Sequence, residues 1–402
     1  MNWKRLKAIP KFSTTIRDAL VVTAILLMAS FANASVALPQ QNQSASFAQL
    51  AHRAETAMQA GHTAEATRLF RRAVTLRPNW PEGWWFIGTM SFDAGKFTAA
   101  KDAFVHFVSV EHKQAGPGFG MLGLCEFQLH HYRLSLNALE RGRVLGLGEN
   151  WDFTQTVLYH AGILYTFFGE PAVGLQRLTL AANRLAAAHS KDPTHAVLNN
   201  TALINAFGLG ALRMRKLPSQ ISDSEAPLVQ QAGNAQALIA LQERAKAGVE
   251  LKKIAALYPS HPGVHYMYGV YLLRVDPPAA IAQFKREIEI SPSSSAARIQ
   301  LAFEYLRTAQ YQQGIKYAQK AVALAPKNFV ARVVCGKLWL GLGKTQQALV
   351  QLKTAVRLSP DSPDARFAYA TALAQAGKTA EATHQRQEFE RLRKLESKGN
   401  RN

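Results

Sequence analysis

The stretch of this chain most suggestive of chemistry is Gly341-Leu342-Gly343-Lys344-Thr345. A phosphate-binding loop ends in Gly-Lys-Thr because backbone N–H groups and the lysine cradle phosphate oxygens. It also requires a glycine five residues before Gly343, where this chain has Leu338, and no strand pattern precedes it. His130, His131, His160, His261 and His265 offer imidazoles to a metal, but a zinc site needs three or four converging donors. His261 adjoins Pro262 in a turn, and the only acid at helical spacing is Glu126, one turn before His130. These histidines read as packing or solvated side chains. Neither Gly-x-Ser-x-Gly nor His-Glu-x-x-His occurs, and no nucleophile has a base nearby. Cys125 and Cys335 stand far apart at apolar-periodic positions, so they read as small buried hydrophobes rather than a disulfide or a zinc knuckle. The expectation is a protein without catalytic residues, cofactor or metal.

The elements beneath these residues repeat. Pro292, Pro326 and Pro360 follow one another at intervals of 34 residues, each ending an apolar-periodic segment. The same step links Ala321 to Ala355, Gly343 to Gly377 and Ala348 to Ala382. Near the other end Gly61, Ala66 and Phe70 return as Gly95, Ala100 and Phe104. A shared phase at so many positions is not the product of independent alanine-rich helices, and repeats of this length indicate stacked helix pairs.

The residues 329–362 carry the pattern almost throughout, as Gly336, Trp339, Gly343, Ala348, Leu352, Ala355 and Pro360. The chain here resembles the tetratricopeptide repeat family. The preceding unit offers Ala302, Tyr305, Ala321 and Pro326, and the following one Ala370, Leu373, Gly377 and Ala382. Weaker copies show Gly123 and Leu139, then Gly162, Tyr165 and Gly169. The resemblance implies an all-α helical-repeat solenoid of antiparallel helix pairs. Small residues let the paired helices approach, glycine permits the turn, and proline ends the second helix.

The phase is lost between roughly 189 and 260, where residues 218–234 are rich in Ser, Pro, Gln and Gly. The expected organisation is a leader over 1–37, an N-terminal repeat block over 47–188, degenerate helices and linker over 189–260, and a C-terminal block with a charged capping helix over 261–396. The leader has Lys4, Arg5, Lys7, Lys11 and Arg17 before an apolar run, then Ala32-Asn33-Ala34 and Ser35-Val36-Ala37, the layout of a cleaved export signal. An uncleaved anchor over residues 19–38 is the alternative, since a span needs about 20 residues. The expected location is therefore the periplasm or the cell exterior, or the face of an inner membrane.

In the family it resembles, the first helix of each pair lines the concave face. Carrying that register over names Trp85, Phe92, Leu124 and Phe127 in the N-terminal block, and Ile299, Phe303, Leu306, Val333, Lys337 and Phe367 in the C-terminal block. These are apolar for a solvated face, which suggests capture of an apolar or amphipathic segment of another protein. The competing reading is that these side chains pack against the neighbouring repeat.

The formal charge is +20, and removing the five bases and one acid of the leader leaves 42 against 26, or +16. That excess favours an acidic envelope or exported polymer, or an anionic membrane surface, as a second class of partner. No aromatic-basic stretch supports nucleic acid, and none is expected as a partner. The function expected from the sequence is an interaction scaffold or assembly factor of the envelope, with polymer binding as the alternative.

Overall fold

The computed structural model describes residues 38–189 and 191–399. Their regular structure is twenty α-helices and one short 3-10 turn, with no strand among the described residues. The leader lies outside the described residues, as does all but the last residue of the alternative anchor. No described helix is long and apolar enough to cross a membrane.

The chain divides into two compact units between Ala247 and Gly248. The N-terminal unit pairs α1 (Leu38–Gln59) with α2 (Thr63–Leu76), α3 (Pro81–Asp93) with α4 (Phe97–Val110), and α5 (Ala115–Gln128) with α6 (Tyr132–Leu145). Next come α7 (Trp151–Phe167) with α8 (Pro171–Ala188), the short α9 (Pro193–Leu198), and α10 (Thr201–Ala211) with α11 (Ala226–Ala240). The unit boundary falls inside α12 (Arg244–Leu257). The C-terminal unit holds α13 (Val264–Leu272) with α14 (Pro277–Ile290), and α15 (Ser295–Arg307) with α16 (Tyr311–Leu324). It ends with α17 (Phe329–Gly341) and α18 (Thr345–Leu358), then α19 (Pro363–Gln375) and α20 (Thr379–Gly399).

Within a pair, the small residue of the first helix meets a large one of the second. A Cβ placed on Gly336 would stand 2.4 Å from Leu352, and one on Gly88 2.7 Å from the Phe104 ring. The same opposition joins Gly123 to Leu139 and Gly162 to Leu178. Absence of a side chain at these places lets the bulky partner fill the gap between helix axes.

All the helix pairs but α13–α14 turn through one left-handed residue. Gly61, Gly95, Gly169, Gly343 and Gly377 hold it, with φ between 69° and 89°. Four turns put another residue there: His130, Arg213, Gln242 and Ala309, with φ between 56° and 65°. In each case the next N–H reaches back to the carbonyl five residues earlier, as Lys344 does to Trp339 at 2.9 Å and Gln310 to Tyr305 at 2.8 Å.

Helix starts repeat as well. Ser294, Asn328 and Ser362 each accept the N–H three residues on, from Ala297, Ala331 and Ala365, satisfying a donor the helix leaves open. Arg332 clamps its repeat by donating to Pro326 O at 2.8 Å and Gln351 Oε1 at 2.9 Å. One repeat later, Arg366 binds Pro360 O at 3.0 Å and Gln385 Oε1 at 2.8 Å. Helix α13 is capped differently: the buried Glu287 carboxylate on α14 accepts from Gly263 N–H at 2.9 Å and Tyr266 N–H at 3.2 Å.

One stretch departs from the sequence reading. Residues 226–240, largely inside the segment read as an irregular linker, form α11, with Leu228, Val229, Ala232 and Gly233 buried. Gly208 of α10 and Gly233 of α11 explain it. A Cβ on either would lie 2.0 Å from a carbonyl oxygen of the facing helix, Val229 or Ile204. These glycines are contact points between helices rather than breakers.

Candidate partner-binding face of the C-terminal unit

In the C-terminal unit α15 touches α17, and α17 touches α19, so three first helices stand side by side. Lys337 and Asp364 tie the second pair of this row together through an ion pair. Phe303 on α15 is 45% exposed and Phe367 on α19 is 50% exposed. Among the residues whose side chains are described, these are the only exposed Phe, Trp or Tyr side chains. Ile299, Leu306 and Leu340 are half-buried beside them.

The row ends in an open groove of about 470 Å³ lined by Pro363, Asp364, Phe367, Phe389 and Arg393. The rings of Phe367 and Phe389 stand 5.2 Å apart, and the Arg393 guanidinium lies 5.8 Å from the Phe389 centroid. Such a surface offers apolar contact with a cation at its rim, and holds no arrangement of nucleophile, base and oxyanion donors.

The remaining sequence candidates sit elsewhere. Val333 is 2% exposed and packs with Leu352, Ala368 and Tyr369, because the next repeat closes over it. Leu124 is equally buried, in the core containing Phe153 and Val157 of α7. Both are corrections: these side chains are core and present no surface to a partner. Trp85 is half-buried with its ring 5.6 Å from Phe104 and 5.2 Å from Phe107. Phe92 lies 5.3 Å from Phe97, and Phe127 packs on Tyr132 at 5.5 Å and on His160 at 4.7 Å. In the N-terminal unit the apolar first-helix residues thus serve stacking between and within repeats.

Asp364, Phe389, Arg393 and the exposed Val330 escaped the sequence reading. Val330 and Asp364 stand one repeat apart at the second residue of their helices, a register that the 34-residue period contains. Phe389 sits in the charged final helix, where nothing distinguishes it by spacing.

The residues weighed for chemistry are accounted for structurally. Gly341 to Thr345 make the turn from α17 into α18, with Gly343 left-handed. His265 lies between Gln283 Oε1 at 2.6 Å and Pro259 O at 3.0 Å, and His131 binds Glu126 at 2.7 Å. His160 is buried, bonds Thr156 O at 2.8 Å, and burial pushes its pKa down to about 4. Cys125 and Cys335 are buried and unpaired with each other, and burial raises their thiols to about 12 and about 11. Among the described residues no group of three or more His, Cys, Asp or Glu is placed to hold a metal.

A family model of the tetratricopeptide repeat matches residues 340–384, and a second matches residues 295–328. A search among curated proteins finds no match. Among solved structures, the chain is similar to the MamA RS-1 ArsTM double mutant at 17% identity and a TM-score of 0.39, over 44% of this chain and 98% of that one. It is similar also to MamA from Desulfovibrio magneticus RS-1 at 18% identity, over 44% of this chain and 98% of that one, with a TM-score of 0.37. YrrB, a TPR protein with an unusual peptide-binding site, shares 18% identity over 40% of this chain and 84% of its own, with a TM-score of 0.36. Residues 295–328 and 340–384 are thus matched as tetratricopeptide repeats, and the 34-residue helix–turn–helix period with its left-handed turn recurs in both units.

Proposed function

We propose that the protein is a non-catalytic scaffold that holds an apolar or amphipathic segment of a protein partner across α15, α17 and α19. The observation that carries this reading is the exposure of Phe303 and Phe367 on one row of first helices, while the aromatics of the N-terminal unit are packed. Fully burying a phenylalanine side chain contributes about 1.5–3 kcal/mol, so covering two that are half-exposed adds roughly that amount to binding. Lys337, held by Asp364, sits between them and orients a polar edge of the segment.

The leader at residues 1–37 supports export, and in this reading the scaffold assembles exported proteins in the cell envelope or outside it. Sequencing the N-terminus of the chain recovered from the envelope fraction tests this part: a start near residue 38 supports it, and recovery of the uncleaved chain from the cytoplasm contradicts it.

Binding is tested by cross-linked pull-down from the native envelope at low and high salt, comparing wild type with Phe303→Ala, Phe367→Ala and a Val144→Ala control on the N-terminal unit. Apolar capture survives high salt and falls in the two phenylalanine variants alone. Recovery of only a salt-labile acidic polymer, indifferent to both phenylalanines, would replace this reading with charge-driven polymer binding.

A further inference from the structure

Residues 305–360 contain no Asp or Glu, and this stretch of 56 residues holds nine Lys and Arg. Three of the nine are engaged on first helices: Arg307 with Glu304, Arg332 with Gln351, and Lys337 with Asp364. The other six, Lys316, Lys320, Lys327, Lys344, Lys353 and Arg357, are exposed and take part in none of the ion pairs found among the described residues. They lie on the second helices α16 and α18 or in the turns that border them.

The flanking helices of the same unit are built differently. Helix α12 pairs Lys253 with Glu250, α14 pairs Arg286 with Glu289, and α20 pairs Arg391 with Glu388, each three residues apart. Helices α16 and α18 lack any such partner. They instead set like charges one turn apart, Lys316 with Lys320 and Lys353 with Arg357, a spacing that destabilises an isolated helix. Apolar side chains interleave with these bases: Val350 is 62% exposed, and Leu324 and Leu358 are exposed too. The 34-residue period puts Leu358 at the register of Leu324 and Val350 at that of Lys316, so an apolar side chain of one second helix takes the register of a base on the other.

We propose that this second-helix face of α16 and α18 docks on an anionic lipid surface, independently of the first-helix row. Uncompensated bases supply attraction to acidic headgroups, and the interleaved apolar side chains enter the boundary beneath them. A soluble polyanion would be attracted by the bases but has no use for exposed Val350 and Leu358. Nucleic acid would call for stacking aromatics, and Tyr317 on this helix is half-buried, stacked 5.8 Å from Tyr305.

The test is co-sedimentation of the full chain with vesicles of phosphatidylcholine alone and of equimolar phosphatidylcholine and phosphatidylglycerol. All chains carry Gln in place of the leader's Lys4, Arg5, Lys7, Lys11 and Arg17, and the difference between the two vesicles then removes the leader's apolar contribution. Partition to the acidic vesicles should exceed that to the neutral ones by about tenfold or more near 0.1 M salt, and the excess should shrink as salt rises. Replacing Lys316, Lys320, Lys353 and Arg357 with Gln should abolish the excess, and the milder pair Lys320→Gln with Lys353→Gln should reduce it several-fold. Replacing Lys246, Lys253, Arg286 and Lys378 with Gln changes net charge equally and should leave it intact. Val350→Ser with Leu358→Ser should lower partition to acidic vesicles while leaving retention on soluble polyglutamate unchanged. An excess that survives the first set of substitutions, or falls equally with the second, overturns the assignment. Indifference to the serine pair, with polyglutamate bound as tightly as vesicles, overturns it in favour of a soluble acidic polymer.

Discussion

Ala309 occupies the same left-handed turn as Gly343 one repeat later, with φ of 56° against 69°. An alanine in that conformation brings its Cβ against the following carbonyl, which glycine avoids. The surrounding helix pair nevertheless keeps the turn and its closing hydrogen bond, Gln310 N–H to Tyr305 O at 2.8 Å.

Ala309→Gly should therefore stabilise the C-terminal unit by about 0.5–1 kcal/mol, the relief of strain partly offset by the freer unfolded chain. Urea unfolding followed by circular dichroism checks this. A midpoint below that of wild type would mean that the turn carries no strain.

This turn also shows what the sequence makes legible. The 34-residue period and the opposition of Gly336 to Leu352 or Gly88 to Phe104 follow from residue type alone, since only a small residue admits a large one across the pair. The turns at His130, Arg213, Gln242 and Ala309 are invisible to a search for glycine, because tertiary packing imposes the conformation on whatever residue is present. Helix α11 was concealed by the opposite effect: Gly233 resembles a breaker until Ile204 is seen against it. For the candidate face, register identifies which residues point toward the row, but coverage depends on the neighbour. Tyr369 and Ala368 close over Val333, whereas the corresponding Phe367 lies on the last described first helix and stays open.

Gly208→Ala should be among the most damaging single-methyl changes in the N-terminal unit. The added carbon would stand 2.0 Å from Val229 O, a backbone atom that can move only if α10 and α11 separate. Overpacking of this kind costs about 1–3 kcal/mol or more. Thermal unfolding of the variant should show an earlier transition, and unchanged stability would contradict the close crossing of these helices.

The two cysteines should serve as separate reporters of the two units. With their thiols raised to about 12 and about 11 by burial, neither should react appreciably with a maleimide at mildly alkaline pH in the folded chain. In rising urea, Cys125 should become labelled as the N-terminal unit opens and Cys335 as the C-terminal unit opens, resolved by peptide mass spectrometry. Fast labelling of either in the native state would contradict its burial.

Acid should weaken the N-terminal unit through His160. Its pKa is pushed down to about 4 by burial, so between that value and its ordinary 6.5 the unfolded chain binds the proton and the folded one does not. Stability from this residue is complete above the ordinary value and is lost as pH falls toward 4, by up to about 3 kcal/mol. His160→Phe keeps an aromatic against Phe127 and removes the proton site. The variant should show a flatter dependence of unfolding midpoint on pH over this window, and a slope identical to wild type would exclude His160 as the titrating group.

The central claim, that the first-helix row of the C-terminal unit is where a protein partner sits, is tested most directly by photo-cross-linking from single positions in the cells that make the protein. A photoreactive phenylalanine analogue is placed in turn at Phe303, Phe367, Trp85 and the 73%-exposed Val144. The expected result is one discrete protein adduct from Phe303 and from Phe367, retained in high salt, with none from Val144 or Trp85. Adducts formed equally from Val144, or from Trp85 while Phe303 and Phe367 yield none, would contradict it.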